Sequence, residues 1–135
     1  MELVARLCLL PSEMGFLLEE ARELDALASN GSVGHQGSKA GQLRFSAHVG
    51  AGVARLAVKE LPRGEEQIGI WASALQSLRN RLEERGGSLT LSVGPPALMR
   101  KVGAWGGVGG ERVLMEGLKE EFDPNRILAP GRLGL

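Results

Sequence analysis

Along residues 2–10, Leu3, Leu7 and Leu9 alternate with Arg6 and Cys8, a two-residue period that predicts a short strand closed by Pro11. From Ser12 the period changes. Met14, Leu17, Leu18, Ala21, Leu24, Leu27 and Ala28 recur at helical spacing, with Ser12 placed as a cap, Glu13 in the first turn and Asn30-Gly31 as the stop. Residues 31–41 are polar and without period, which predicts a mobile surface loop. A second strand follows from about Gln42 to Val49, with Leu43, Phe45, Ala47 and Val49 on one face and Arg44, Ser46 and His48 on the other. Gly50-Ala51-Gly52 reads as a hairpin or bulge, and Ala54, Leu56 and Val58 alternate with Val53, Arg55 and Ala57 in a third strand. After a turn at Pro62-Arg63-Gly64, Ile68, Trp71, Leu75, Leu78 and Leu82 mark a long amphipathic helix ended by Gly86-Gly87. Leu89, Leu91 and Val93, alternating with Thr90 and Ser92, complete a fourth strand.

The order strand, helix, strand, strand, helix, strand predicts an α+β fold of the ferredoxin-like βαββαβ kind, an antiparallel sheet with both helices on one face. The whole chain reads as one domain, residues 1–94 forming the core and 95–135 a C-terminal helical extension. In that extension a short helix runs from Pro96 to about Val102, a glycine-rich turn follows, and a second helix spans about Glu111 to Phe122. Leu114, Leu118 and Phe122 are expected to be its buried stripe, Asp123-Pro124 its stop, and Ile127 and Leu128 the anchor of the tail. Pro130-Gly131 suits a type II turn that points Arg132 outward.

Charge changes the picture only locally. Sixteen acidic and sixteen basic side chains cancel, so long-range attraction to nucleic acid or an anionic membrane is not expected. One cysteine, Cys8, cannot form an internal disulfide, no apolar run is long enough to span a bilayer, and Glu2 stands where a leader would be basic; the expectation is a cytoplasmic protein. If the leucine-rich side of each strand packs on the helices, the other side presents Arg6, Cys8, Arg44, Ser46, His48, Arg55, Thr90 and Ser92. Guanidinium forks on such a surface match a carboxylate, and they are equally what a water-facing sheet carries. No aromatic residue stands there to stack RNA bases.

Other chemistries find no pattern. His35 and His48 have no companion ligands, so no metal site is expected. The stretch from Gly31 to Lys39 lacks the ending of a phosphate-binding loop, and Gly50 and Gly52 have no third glycine at Arg55 for a dinucleotide fingerprint. Ser46 and His48 share a face without an acidic group to orient them, which argues against a hydrolase and leaves no catalytic residue assigned.

The closing segment, Leu118-Lys119, Phe122-Asp123-Pro124 and Ala129-Pro130-Gly131-Arg132, resembles the end of FAD-linked oxidases of the vanillyl-alcohol-oxidase type, with Ala129 where asparagine is usual. Three further pieces are similar to the E subunit of glycolate oxidase in particular: Gly50-Ala51-Gly52-Val53, Gly86-Gly87-Ser88-Leu89 followed by Pro95-Pro96, and Val102-Gly103-Ala104-Trp105-Gly106. The resemblance implies a C-terminal cap that covers a flavin and forms the substrate cavity, with FAD held by a partner or a missing domain. It implies, as partners, a FAD-binding domain or subunit, other glycolate oxidase subunits and a small 2-hydroxy acid, and no oxidase activity for this chain in isolation. Arg44, His48 and Arg55, with Arg6, are the candidates to face substrate or flavin, and Pro130, Gly131 and Arg132 to lie at the domain interface. The competing expectation is a stand-alone ferredoxin-like module that homodimerises through its open sheet face and binds or senses a small acid.

Overall fold

A computed structural model describes residues 2–30, 43–61, 64–106 and 111–130. Among these the chain forms β1 (Leu3–Cys8), α1 (Met14–Asn30), β2 (Leu43–His48), β3 (Val53–Val58), α2 (Glu65–Glu84), β4 (Ser88–Val93), α3 (Pro96–Val102) and α4 (Glu111–Phe122). The fold is α+β. Its four strands lie in the order β2-β3-β1-β4, and each neighbouring pair is antiparallel. It follows that α1 carries the chain from β1 past β3 to β2, and α2 carries it from β3 past β1 to β4. The expected loop over residues 31–41 lies outside the described residues, as do Pro62 and Arg63 of the expected turn.

Alternation in the strands decides which face is dry. Leu3, Ala5 and Leu7 of β1, Ala54, Leu56 and Val58 of β3 and Leu89 and Leu91 of β4 are buried, and they pack with Met14, Leu17, Leu24 and Ala28 of α1 and Trp71, Leu75, Leu78 and Leu82 of α2. One contiguous core therefore lies between one sheet face and two helices. The helices are also tied to each other, since Arg81 of α2 meets the buried Glu20 of α1 at 2.6 Å and Arg85 reaches Glu13 at 2.6 Å while lying over the Phe16 ring. Burial raises the Glu20 pKa, and the neighbouring Arg81 offsets part of that shift.

Local geometry departs from the sequence expectation at several points: Leu18, Ala47 and Val49, set on apolar faces by their spacing, are exposed. Ser12 is not a cap, because Pro11–Glu13 form a 3-10 turn that leads into α1 and places Ser12 inside it. Val93 is not buried with Leu89 and Leu91 but 49% exposed. The register shifts by one residue at the end of β4, so that Ala5 faces Leu91 while Val4 faces Val93 and Ser92 has no partner on β1. A one-residue slip turns the following side chain to the opposite face, which alternation along a single strand cannot reveal.

The glycine stop of α2 is as expected. Gly86 takes a left-handed conformation, its N–H donates to the Glu83 carbonyl, and the Gly87 N–H donates to the Leu82 carbonyl at 2.7 Å, which closes the last turn and aims the chain into β4. The next segment covers the sheet edge: α3 packs on α2, Arg79 donates to the carbonyls of Val102 and Gly103 at its end, and the Leu91 N–H donates to the Ala104 carbonyl. An edge strand that would otherwise present free backbone groups is thus partly closed.

The tail overturns an expectation. Leu114, Leu118 and Phe122 are 66%, 50% and 77% exposed, so the apolar stripe of α4 is not buried on the core, and Ile127 and Leu128 do not anchor the chain either. Hydrophobic spacing marks a face that can be buried; it does not say against what. What holds the tail is polar. The buried Asp123 carboxylate accepts hydrogen bonds from Lys119 Nζ and from the N–H groups of Ile127 and Leu128, and Lys119 Nζ also donates to the Leu128 carbonyl. The Lys119 hydrogen bond holds the Asp123 pKa below its ordinary value of 3.8, against opposing desolvation and helped by the two backbone N–H groups.

A carboxyl whose folded pKa is depressed stabilises the fold above its unfolded pKa, and that contribution is lost as pH falls through the folded value. The Ile127 and Leu128 amide resonances are therefore expected to titrate with a midpoint below 3.8, whereas Asp123→Asn is expected to weaken both bonds at every pH. Wild-type amides that titrate at 3.8 or above would contradict this account of the tail.

Candidate functional site

The sheet face turned away from the helices is built by the register. β1, β3 and β2 align so that Arg6 lies opposite Arg55 and Arg55 opposite Ser46, and on the other side Arg6 lies opposite Thr90 of β4. One row across the sheet therefore reads Thr90, Arg6, Arg55, Ser46. The row on one side of it reads Ser88, Cys8, Val53, His48, and the row on the other side reads Val93, Val4, Ala57, Arg44. Arg6, Arg44, His48 and Arg55 are all exposed on this face.

The four expected residues are thus brought to one surface, but not to one point. Arg6 and Arg55 are direct cross-strand neighbours, with Cα atoms roughly 5 Å apart. Arg44 and His48 flank Ser46 on β2 at two-residue steps, about 6–7 Å to either side. Ser92, expected among them, is displaced by the bulge in β4.

The electrostatics of the surface are one-sided. β1 to β4 contain Arg6, Arg44 and Arg55 and no aspartate, glutamate or lysine. The acids of this chain sit on helices and connections, where several pair with Arg81, Arg85, Arg112 and Lys119. Among the described residues neither Arg6, Arg44 nor Arg55 forms an ion pair. Like charges directly opposite on a strand pair are unfavourable by themselves, and an anion between them reverses the sign. A carboxylate, with two oxygens in one plane, matches the fork geometry of such a pair.

Two concavities adjoin this surface. A hollow of about 260 Å³ lies against Ser46, His48, Val53 and Arg55, large enough for a small organic acid. A larger cleft of about 530 Å³ opens at the end of the sheet, where Cys8, Val53 and Ser88 of the His48 row meet Pro11, Gly52 and Trp105. Sequence reading did not find the cleft, because its walls come from the ends of β1, β3 and β4 and from the segment after α3. Its only advance signal was the glycine content of Gly50 to Gly52 and Gly86-Gly87.

Glycines at the cleft are structural. Gly52 follows the 3-10 turn Val49–Ala51 in a left-handed conformation with φ 63°, and its carbonyl accepts the Leu9 N–H at 2.9 Å. This turn joins two strands and precedes no helix, so it is no cradle for a pyrophosphate. The described residues hold no cluster of three metal-ligating side chains. Ser46 and His48 share the open face with no acid beside them, so the surface can bind and orient an anion but shows no arrangement for nucleophilic chemistry.

The groups with shifted pKa values lie elsewhere. Burial lowers that of Arg79 between α2 and α3, with Glu83 opposing, while Glu20 joins α1 to α2 and Asp123 ties the tail. Each has a partner that explains it as a structural contact. Of the expected interface residues, Pro130 is exposed, and Gly131 and Arg132 lie outside the described residues. Comparison with family models, with curated proteins and with solved structures found no match for this chain.

Proposed function

We propose that this chain is the substrate-side cap of a FAD-dependent 2-hydroxy-acid oxidase of the glycolate oxidase type, acting in the cytoplasm with the flavin carried by another domain or subunit. The observation that carries the proposal is the open face, whose strands hold no acidic residue and on which Arg6 and Arg55 stand as neighbours without counter-ions among the described residues. The finer fold assignment, ferredoxin-like, belongs to the same reading and is supported by the order β2-β3-β1-β4 with two helical crossovers on one face. Among the described residues no helix is long and apolar enough to cross a membrane.

In this reading Arg6 and Arg55 hold the substrate carboxylate, Arg44 and His48 border it, and the sheet excludes water from the reacting carbon. The flavin supplies the hydride acceptor when bound, and this chain contributes orientation and charge. The segments resembling glycolate oxidase support that choice of substrate class. The competing module, a homodimer formed through the open face, would set Arg6, Arg44 and Arg55 against the same residues of a second copy. That repulsion favours the cap.

The test is reconstitution of the full chain with a flavin-bearing glycolate oxidase subunit. Alone, the chain is expected to show no flavin absorbance and no glycolate oxidation. In the reconstituted enzyme, Arg55→Ala and Arg6→Ala are each expected to lower kcat/KM for glycolate roughly ten- to hundredfold, the loss of one charge-assisted hydrogen bond. Stoichiometric flavin in the isolated chain, or turnover indifferent to both substitutions, would refute the proposal.

A further inference from the structure

The open face holds a third arginine beside the Arg6–Arg55 pair. Arg44 stands one row from Arg55, diagonally across the β2–β3 pair at about 7–8 Å between Cα atoms, a distance that long side chains bridge. Its direct neighbour on β3 is Ala57, and the next position in that row, on β1, is Val4; both are half-buried. Arg6 lies two residues along β1 from Val4, and Arg55 two residues along β3 from Ala57. Three guanidinium groups therefore border a small apolar floor, with Arg44 set off from the other two. His48 lies diagonally from Arg55 in the opposite direction and has no planar fork to offer.

We infer that the acid received by this face carries a second carboxylate. It is a 2-hydroxy dicarboxylic acid whose first carboxylate is shared by Arg6 and Arg55, whose carbon chain lies over Ala57 and Val4, and whose second carboxylate pairs with Arg44. The inference rests on the proposed function and narrows the class of acid that Arg6 and Arg55 would hold. Charge favours a dianion. β1 to β4 hold three arginines and no aspartate or glutamate, so a monocarboxylate such as glycolate offsets one positive charge and leaves Arg44 unmatched. Spacing favours a chain between the two charges. One row is about 6–7 Å, which a compact dianion does not cover and a short carbon chain with a carboxylate at each end does. The apolar floor under that chain is the third match, since methylene groups lose nothing by leaving water there.

Amide chemical-shift titration of the full chain with malate and with glycolate, at constant ionic strength, tests this. Malate is expected to bind at least about tenfold more tightly, the worth of one further charge-assisted pair. Arg44→Gln is expected to cost malate roughly ten times more affinity than it costs glycolate, and Arg55→Gln to weaken both acids alike. Arg22→Gln, on α1 at the other side of the sheet, removes the same charge and is expected to alter neither. All three side chains are exposed, so the amide spectra should show each variant folded. Equal affinity for the two acids, or malate binding that Arg44→Gln weakens no more than glycolate binding, would overturn the inference. The proposed function would still stand if Arg55→Gln weakened glycolate binding. Malate binding that fell as far with Arg22→Gln as with Arg44→Gln would reveal attraction by net charge alone and overturn the inference as well. A chain that binds neither acid would overturn both.

Discussion

Gly52→Ala is expected to destabilise the fold by about 3 kcal/mol, the sum of left-handed backbone strain at a residue with a Cβ and of overpacking against a backbone atom. At φ 63° an alanine Cβ would stand 2.2 Å from the Leu9 carbonyl oxygen. Neither neighbour can yield cheaply, because the Gly52 carbonyl accepts the Leu9 N–H and Leu9 is itself buried. Relief would require the end of β1 and the β2-β3 connection to part, which would also open the cleft lined by Pro11, Gly52 and Trp105. The comparison that isolates the cause is Gly50→Ala two residues earlier, where a Cβ would meet nothing within 4 Å and φ is not positive. Urea denaturation should place Gly50→Ala near wild type and Gly52→Ala far below it. Equal midpoints for the two variants would show that the close approach at Leu9 is not what holds this corner.

The second large effect is expected at Arg79. Its guanidinium is buried and reaches the carbonyls of Val102 and Gly103, the last turn of α3, where a cation also meets the negative end of the helix. Arg79→Ala removes both donors and leaves a void beside Gly106, where a Cβ added at that glycine would stand 3.1 Å from Arg79 Nε. An unsatisfied carbonyl costs about 1–3 kcal/mol and lost packing adds to it, so a total of roughly 3 kcal/mol is expected. The loss should not be confined to α3, because the chain just beyond it covers the β4 edge through the Leu91 to Ala104 hydrogen bond. Hydrogen exchange at Leu91 should therefore rise in Arg79→Ala more than exchange at Leu56 in the middle of β3. Arg79→Lys supplies a charge without the fork and is expected to recover only part of the stability. A uniform change across both strands would indicate that Arg79 supports the core generally and does not clamp α3.

Function and stability draw on different residues in this chain. The shifted titratable groups, Arg79, Glu20 and Asp123, hold elements together, whereas Arg6, Arg44 and Arg55 have no partner among the described residues. Those three cations therefore tie no elements together through ion pairs among the described residues. That separation is why the open face, and not the buried ion pairs, carries the functional proposal.

Much of this was legible in the sequence because periodicity is a local property. Two-residue alternation located β1 to β4, and glycine at Gly86-Gly87 marked the end of α2. The polar faces of the strands named Arg6, Arg44, His48 and Arg55, since a strand with one dry side must turn the other outward. Tertiary structure alone decided what depends on how strands and helices meet. Register made Arg6 and Arg55 neighbours and put Arg44 and His48 to either side, a relation no single strand encodes. The bulge that exposes Val93, the cleft gathered from three strand ends and the failure of α4 to find a place on the core are of the same kind. A hydrophobic pattern states that a face would be more stable away from water, while the surface that covers it is chosen by shape and distance across the whole fold.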